Sequence, residues 1–205
     1  MVDLVFPVRG GSVSTDHAYP LYGALAGLVP AFHDPTTSLR FAPLTGGGGE
    51  AGRLRLTAWS CLRVRLPADA IPIALPLAGK ALDVAGSAVR LGPPTVQPLT
   101  PATAVESWLV TFKNGEEPDA FLATARAKLA ELGVAGEPAV RAFEAGPRAG
   151  EARRRVLRVK GQSIVGYALL VSGLTAADSL RLQEHGLGGR IKIGCGFFLP
   201  TKEAK

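Results

Sequence analysis

Apolar positions in the second half of the chain alternate between two periods. Ala104 to Lys113 reads as a strand with a charged end. Across Pro118 to Leu132, Phe121, Leu122, Ala125, Leu129 and Leu132 recur at helical spacing, and Gly133 closes the helix. A short strand is added near Pro138 to Phe143. Val156 to Lys160 alternates as a half-buried strand, and Gly161-Gln162 turns the chain into the apolar run Ile164 to Val171. Thr175, with Asp178 behind it, caps a helix reaching Glu184, and a glycine-rich stretch then leads into a strand from Ile191 to Leu199. The order is β-α-β-β-α-β, a ferredoxin-like unit.

The first half repeats that order less distinctly. Strand Val2 to Val8 precedes a helix from about Asp16 to Val29, then strands around Leu39 to Leu44 and Leu54 to Leu66. A short helical stretch follows Pro67, and further strands lie between Lys80 and Gln97. Gly46 to Gly49, followed by Glu50, reads as a hairpin tip. Pro93-Pro94, Pro98 and Pro101 form a stiff joint, so the predicted domains are residues 1–100 and 101–205. The fold class is α+β, two ferredoxin-like (RRM-like) βαββαβ modules in tandem.

The segment Gly186-Leu187-Gly188-Gly189-Arg190-Ile191-Lys192-Ile193-Gly194-Cys195-Gly196 holds two Gly-apolar-Gly units with two cations between them. Glycines allow positive φ and close approach to a ligand, while Arg190 and Lys192 supply charge for phosphate, so an anionic ligand is implied. A dinucleotide fingerprint needs a strand before the glycines and a helix after; here the predicted order is reversed. A phosphate-binding loop of the Walker kind ends in Gly-Lys-Ser/Thr, which Gly194-Cys195-Gly196 does not supply. Nucleotide hydrolysis is therefore disfavoured.

Composition narrows the class further. The 205 residues, 47% of them hydrophobic, suffice for a well-buried core, and a net charge of +6 carried mostly by arginine favours a polyanionic partner. Cys61 and Cys195 lack paired spacing, so neither a zinc site nor a disulfide framework is suggested. The N-terminal residues lack the pattern of a secretory signal, and no apolar run reaches membrane-spanning length. The expectation is a cytoplasmic protein with no membrane partner.

These residues resemble a known family. Gly186 to Gly196 fits the Gly-h-Gly-x5-Gly-h-Gly signature (h, apolar) of the CRISPR repeat-RNA endoribonucleases, the sixth of the CRISPR-associated proteins, within the RAMP superfamily. Ser179 to Gln183 running into Gly186 to Arg190 is similar to the myxobacterial-type branch. So are Asp16 to Leu25, Phe32-His33-Asp34 and Arg40 to Leu44, whereas residues 67–155 carry little resemblance. The resemblance implies metal-independent cleavage of precursor CRISPR RNA within each repeat by the neighbouring 2′-hydroxyl, with no bound cofactor. The implied partners are repeat RNA, precursor and mature, and other Cas proteins of a class 1 surveillance complex.

That reaction needs a base, an acid and positive charge at the phosphorane-like transition state. Only His17, His33 and His185 are present. His33 matches the family's loop histidine and stands first as general base or acid; its bland alternative is a cap at the helix C-terminus. His17 competes with it, or else is merely exposed beside a capping Asp16 or Thr15. Tyr22 shares a helical face with Tyr19 and is the tyrosine expected to face outwards and assist. Arg40 replaces the family's usual lysine, which suits an electrostatic role better than proton transfer.

The predicted RNA contacts are Gly186, Gly188, Gly189, Arg190, Lys192, Gly194 and Gly196, with Arg190 and Lys192 on one face of the last strand. Arg153, Arg154, Arg155, Arg158 and Lys160 form the densest basic cluster, read as an RNA-stem contact rather than a solvated hairpin edge. A noncatalytic RNA-binding subunit and a small-molecule enzyme or regulator are the rival readings.

Overall fold

In the computed structural model, residues 1–48, 52–113, 115–144 and 146–201 are described. Packing divides the chain into two compact units, Met1–Pro98 with Lys192–Gly194, and Leu99–Ile191 with Cys195–Lys205.

In the first unit, β1 (Val2–Gly10) leads through β2 (Ser12–Ser14) into α1 (Ala18–Leu28), then β3 (Arg40–Ala42), β4 (Arg53–Arg55) and β5 (Cys61–Leu66). A one-turn α2 (Ile71–Ala74) precedes β6 (Ala81–Val84), β7 (Ser87–Leu91) and β8 (Thr95–Pro98). The main sheet runs β3-β5-β1-β7-β6, with β8 beside the start of β1 and β7 beside its end. Alternation along β1 and β5 sends Leu4, Phe6, Val8, Leu62, Val64 and Leu66 into one core, where Leu21 and Leu25 of α1 join them. This is a ferredoxin-like sheet, in which the first strand is central.

Two boundaries differ from expectation. The predicted strand Leu54 to Leu66 is two strands, because Ser60 Oγ accepts from Thr57 N–H and the Ser60 N–H returns to Thr57 O, closing a turn. Its first part, β4, pairs with β2 instead of the main sheet. The glycine tip is bridged at Gly47 to Arg55, while Gly49 and Glu50 lie outside the described residues.

In the second unit, β9 (Ala104–Val110), α3 (Pro118–Glu131), β10 (Glu137–Val140), β11 (Arg154–Val159), β12 (Gln162–Ser172), α4 (Ala176–His185) and β13 (Phe198–Pro200) follow one another. The order β10-β12-β9-β13 is again ferredoxin-like, with β11 extending the N-terminal part of β12. Lys160 and Gly161 both have positive φ, the geometry of a tight hairpin turn, so the strand stops at Val159 and Lys160 does not share a strand face with Arg158. Thr175 caps α4, its hydroxyl accepting from Asp178 N–H. The strand expected from Ile191 is shorter: Ile191–Ile193 is a 3₁₀ turn and only Phe198–Pro200 pairs with β9. Positive φ at Arg190, Gly194 and Gly196 interrupts extended backbone there.

Arg65 and Asp3 face each other across β5 and β1 and are almost fully buried. Two bonds join them, Nε to Oδ1 at 2.7 Å and Nη2 to Oδ2 at 3.0 Å. A forked pair of this kind tolerates burial because each partner satisfies the other's charge. Asp3→Ala leaves the guanidinium without it, and urea unfolding should show a loss of about 3–5 kcal/mol with an unchanged m-value.

Candidate active site

Helix α1 ends at Leu28, and a 3₁₀ turn over Pro30–Phe32 delivers His33 to the surface. Phe32 anchors that turn, fully buried against the ring of Phe41, so His33 follows a fixed point of the core. The His33 Nδ1 lies 2.7 Å from the Tyr22 hydroxyl, and the rings meet edge to face. Tyr22 sits one helical turn beyond Tyr19 and stacks with it at 6.3 Å. Partial burial, and then the neighbouring Tyr19, raise the Tyr22 phenol above its ordinary value, so it is protonated at neutral pH. The Tyr22 contact thus engages Nδ1 of an exposed imidazole.

After His33 the chain ties itself down locally. Asp34 Oδ1 accepts from the Thr36 N–H (2.8 Å) and the Thr36 hydroxyl (2.6 Å), and these bonds hold its carboxyl below the usual range. The Thr37 hydroxyl reaches back to Ala31 O at 2.8 Å. Lys192 then closes over the loop, its ammonium donating to Asp34 O (3.1 Å), Thr37 O, Thr37 Oγ1 (3.0 Å) and Leu39 O (3.4 Å). Burial, and then the charge of Arg40, lower its pKa, while Asp34 opposes the shift. Arg40 opens β3 opposite Arg65, within electrostatic reach of that ammonium.

His17 has a different environment. It is 4% exposed, its Nδ1 lies 2.8 Å from Ser14 O, and its Nε2 accepts the Leu44 N–H at 2.9 Å. An Nε2 that accepts is unprotonated, so Nδ1 carries the hydrogen and the ring is neutral. Burial lowers its pKa, against smaller opposing contributions from Ser14, Asp16 and Thr15. The expectation of an exposed His17 beside a side-chain cap is therefore corrected. No side chain caps α1; the Thr15 hydroxyl bonds Gly52 O and the Asp16 N–H bonds Ser14 Oγ. His185 is exposed, its Nδ1 3.0 Å from Arg181 O of its own helix.

The glycine segment serves its own backbone. Gly188, at φ +87°, and Gly196, at φ +63°, leave no room for a Cβ, which would stand 2.7 Å from Thr111 O and 2.1 Å from Leu187 O respectively. The Gly189 N–H donates to Thr111 O and the Gly196 N–H to Leu109 O, each at 2.8 Å, while the Gly186 N–H closes α4 on Leu182 O. Gly186, Gly194 and Gly196 are buried, whereas Gly189 and Arg190 are exposed. The close approach expected toward a ligand is thus made by the chain to itself, and Lys192 is directed at the 34–39 loop instead of sharing an outward face with Arg190.

Comparison with known proteins decides the family. A match to Cas6, described as Cas6 Crispr, spans residues 2–203. A relative from Myxococcus xanthus (strain DK1622), the CRISPR-associated endonuclease Cas6, is 39% identical over 203 residues, 99% of this chain and 83% of its own length. The chain belongs to the Cas6 family. Among solved structures, one described as an RAMP protein binding different RNA substrates superposes with a TM-score of 0.68 at 13% identity, covering 98% of this chain and 99% of its own. A CRISPR-associated protein Cas6 reaches 0.66 at 12% identity, covering 98% of each chain. At such identities the structures establish a shared fold.

In this Cas6 chain the basic cluster splits by strand alternation. Arg154 and Arg158 are exposed on β11, and Lys160 is exposed in its turn. Arg153 and Arg155 are half-buried, lying over the rings of Phe143 (6.0 Å) and Trp108 (5.3 Å). Burial, then the charge of Arg153, lower the Arg155 pKa. The aromatic partners gave no sequence signal, because they are distant in the chain. Burial pushes the Cys195 thiol up to about 12, making it a packing group. Among the described residues no three His, Cys, Asp or Glu side chains gather as metal ligands, and no helix is long and apolar enough to cross a membrane.

The His17 environment has a pH consequence. Its folded pKa is depressed below the ordinary 6.5, so the unfolded chain binds a proton that the folded one does not as pH falls below that value. Stability from this group is complete above 6.5 and declines at lower pH. The drop in urea midpoint between pH 7.5 and pH 5 should be smaller in His17→Gln than in the wild-type protein.

Proposed function

We propose that this Cas6 protein is an endoribonuclease that cuts precursor CRISPR RNA within its repeats, without a metal ion. The 2′-hydroxyl beside the scissile phosphate attacks phosphorus, the bond to the 5′-oxygen breaks, and the products are a 2′,3′-cyclic phosphate and a 5′-hydroxyl. The observation that carries this reading is the exposed His33 imidazole, held at Nδ1 by Tyr22 and presented on a constrained loop.

The Tyr22 hydroxyl can donate to Nδ1 or accept from it, so it supports either tautomer of His33. As the imidazolium, with Nδ1–H donating to the Tyr22 oxygen, the ring can pass its Nε2 proton to the departing 5′-oxygen; as the neutral ring with Nε2 free, it can accept the proton of the 2′-hydroxyl. Arg40 supplies fixed positive charge for the phosphorane-like state, a role that needs no proton exchange. His17 is assigned to structure, since both its nitrogens are engaged inside the protein.

Residues 1–100 form the domain carrying helix and histidine loop, and residues 101–205 the domain carrying the glycine segment. Exposed Arg154, Arg158, Lys160 and Arg190 fit phosphate contacts along a repeat stem, with Arg153 and Arg155 behind them. By family likeness, the processed hairpin stays bound and passes to other Cas proteins in the cytoplasm.

The test incubates wild-type, His33→Ala, Tyr22→Phe and His17→Gln proteins with end-labelled repeat RNA in EDTA, beside RNA with a 2′-deoxy group at the cut site. Wild-type protein should cleave only the unmodified RNA, and His33→Ala should lose about 10²–10⁴-fold in rate. Tyr22→Phe should lose less, and a folded His17→Gln should retain cleavage. Tight binding without cleavage by the wild type would refute catalysis and leave a noncatalytic RNA-binding subunit.

A further inference from the structure

Lys192 was expected among the ligand contacts, yet its ammonium is committed to the protein. Four acceptors surround it, all between Asp34 and Leu39, the stretch bounded by His33 on one side and Arg40 on the other. The loop's other side-chain bonds, from Thr36 to Asp34 and from Thr37 to Ala31 and Asp34, fasten it only to itself and to the preceding turn. Lys192 instead reaches it from a distant part of the sequence, whose backbone is set by a positive-φ Gly194 packed on Pro43 and Phe41. We propose that Lys192 is a positioning residue for RNA cleavage, its ammonium gathering the carbonyls of Asp34, Thr37 and Leu39 so that His33 and Arg40 stand at fixed places around one phosphate.

Three carbonyls and a hydroxyl converging on one point present their negative ends to each other, an arrangement that requires a cation at its centre. A neutral side chain of equal length fills the space and leaves these dipoles opposed. Arginine keeps the charge but spreads it over a flat fork wider than the site. A catalytic group displaced by about 1 Å can cost on the order of 10²-fold in rate, so such a fastening acts on the chemical step. An ammonium engaged by the loop adds little to RNA affinity. The inference rests on His33 being the catalytic acid or base.

The experiment uses the full chain and single-turnover cleavage of saturating repeat RNA in EDTA, with binding measured separately on the 2′-deoxy RNA. Lys192→Met should lower the cleavage rate by about 10²-fold while Kd and its salt dependence stay at wild-type values. Lys192→Arg should recover only part of the rate. Alkylating Lys192→Cys with 2-bromoethylamine builds a lysine-length ammonium and should restore cleavage, with alkylated wild type as the control for Cys61. Thr37→Val, which leaves the cation in place but removes one of its acceptors together with the hydroxyl's bonds to Ala31 O and Asp34 O, should lower the rate in the same direction without changing Kd.

Wild-type cleavage rates in both Lys192→Met and Thr37→Val would overturn the proposal. So would a loss confined to affinity, with the salt slope reduced by about 0.7–0.9, the mark of a phosphate contact. A folded, alkylated Lys192→Cys protein that remains inactive would overturn it as well. If His33→Ala is inactive while Lys192→Met is not, only this inference fails; if His33→Ala cleaves normally, the reading beneath it fails too.

Discussion

At Gly188 and Gly196 the backbone lies so close to neighbouring carbonyls that a side chain is excluded, and the path of the chain from α4 to β13 depends on that closeness. Hydrogen bonds from Gly189 to Thr111 O and from Gly196 to Leu109 O fix the segment where an ordinary residue at Gly188 or Gly196 would meet a carbonyl. Between them Ile191–Ile193 turns as a 3₁₀ element, and the Lys192 ammonium donates to the carbonyls of Asp34, Thr37 and Leu39.

The sequence carried the regular elements well because their signals are local. Helix α3 with its terminating Gly133 and the Thr175 cap each follow from residues within one or two turns of chain, whereas Lys160, read as the end of a strand, lies in the turn. The last strand was misread for the same reason. Arg190-Ile191-Lys192-Ile193 alternates as a strand should, yet Arg190 and Gly194 stand at positive φ, and Gly194 packs on Pro43 and Phe41, which are distant in sequence. At a helix start His17 reads as a second catalyst or as an exposed neighbour of a cap, whereas the Leu44 N–H that engages its Nε2 lies 27 residues away in sequence and gives no local signal. The Tyr22–His33 pair was half legible: helical spacing put Tyr22 on an outward face, but the distance from helix to loop is a tertiary fact.

Among the described residues, α1 carries a histidine at each end, and the two are sorted by how their nitrogens are used. His17, at the N-terminal end, engages one nitrogen as donor to Ser14 O and the other as acceptor from Leu44 N–H, so it cannot change charge without breaking a buried bond. His33 engages one nitrogen, with a phenol that serves as donor or acceptor. Either role of the phenol keeps the ring anchored, and that difference is the reason the proposed reaction is assigned to His33 and not to His17.

The loop after His33 also gathers charge. Arg40 and Lys192 lie close enough for Arg40 to depress the lysine's pKa, after the larger effect of burial, and Asp34 offsets part of that shift. In the proposed reaction an arginine at position 40 holds its charge throughout, which suits electrostatic stabilisation of a phosphorane-like state and not proton transfer.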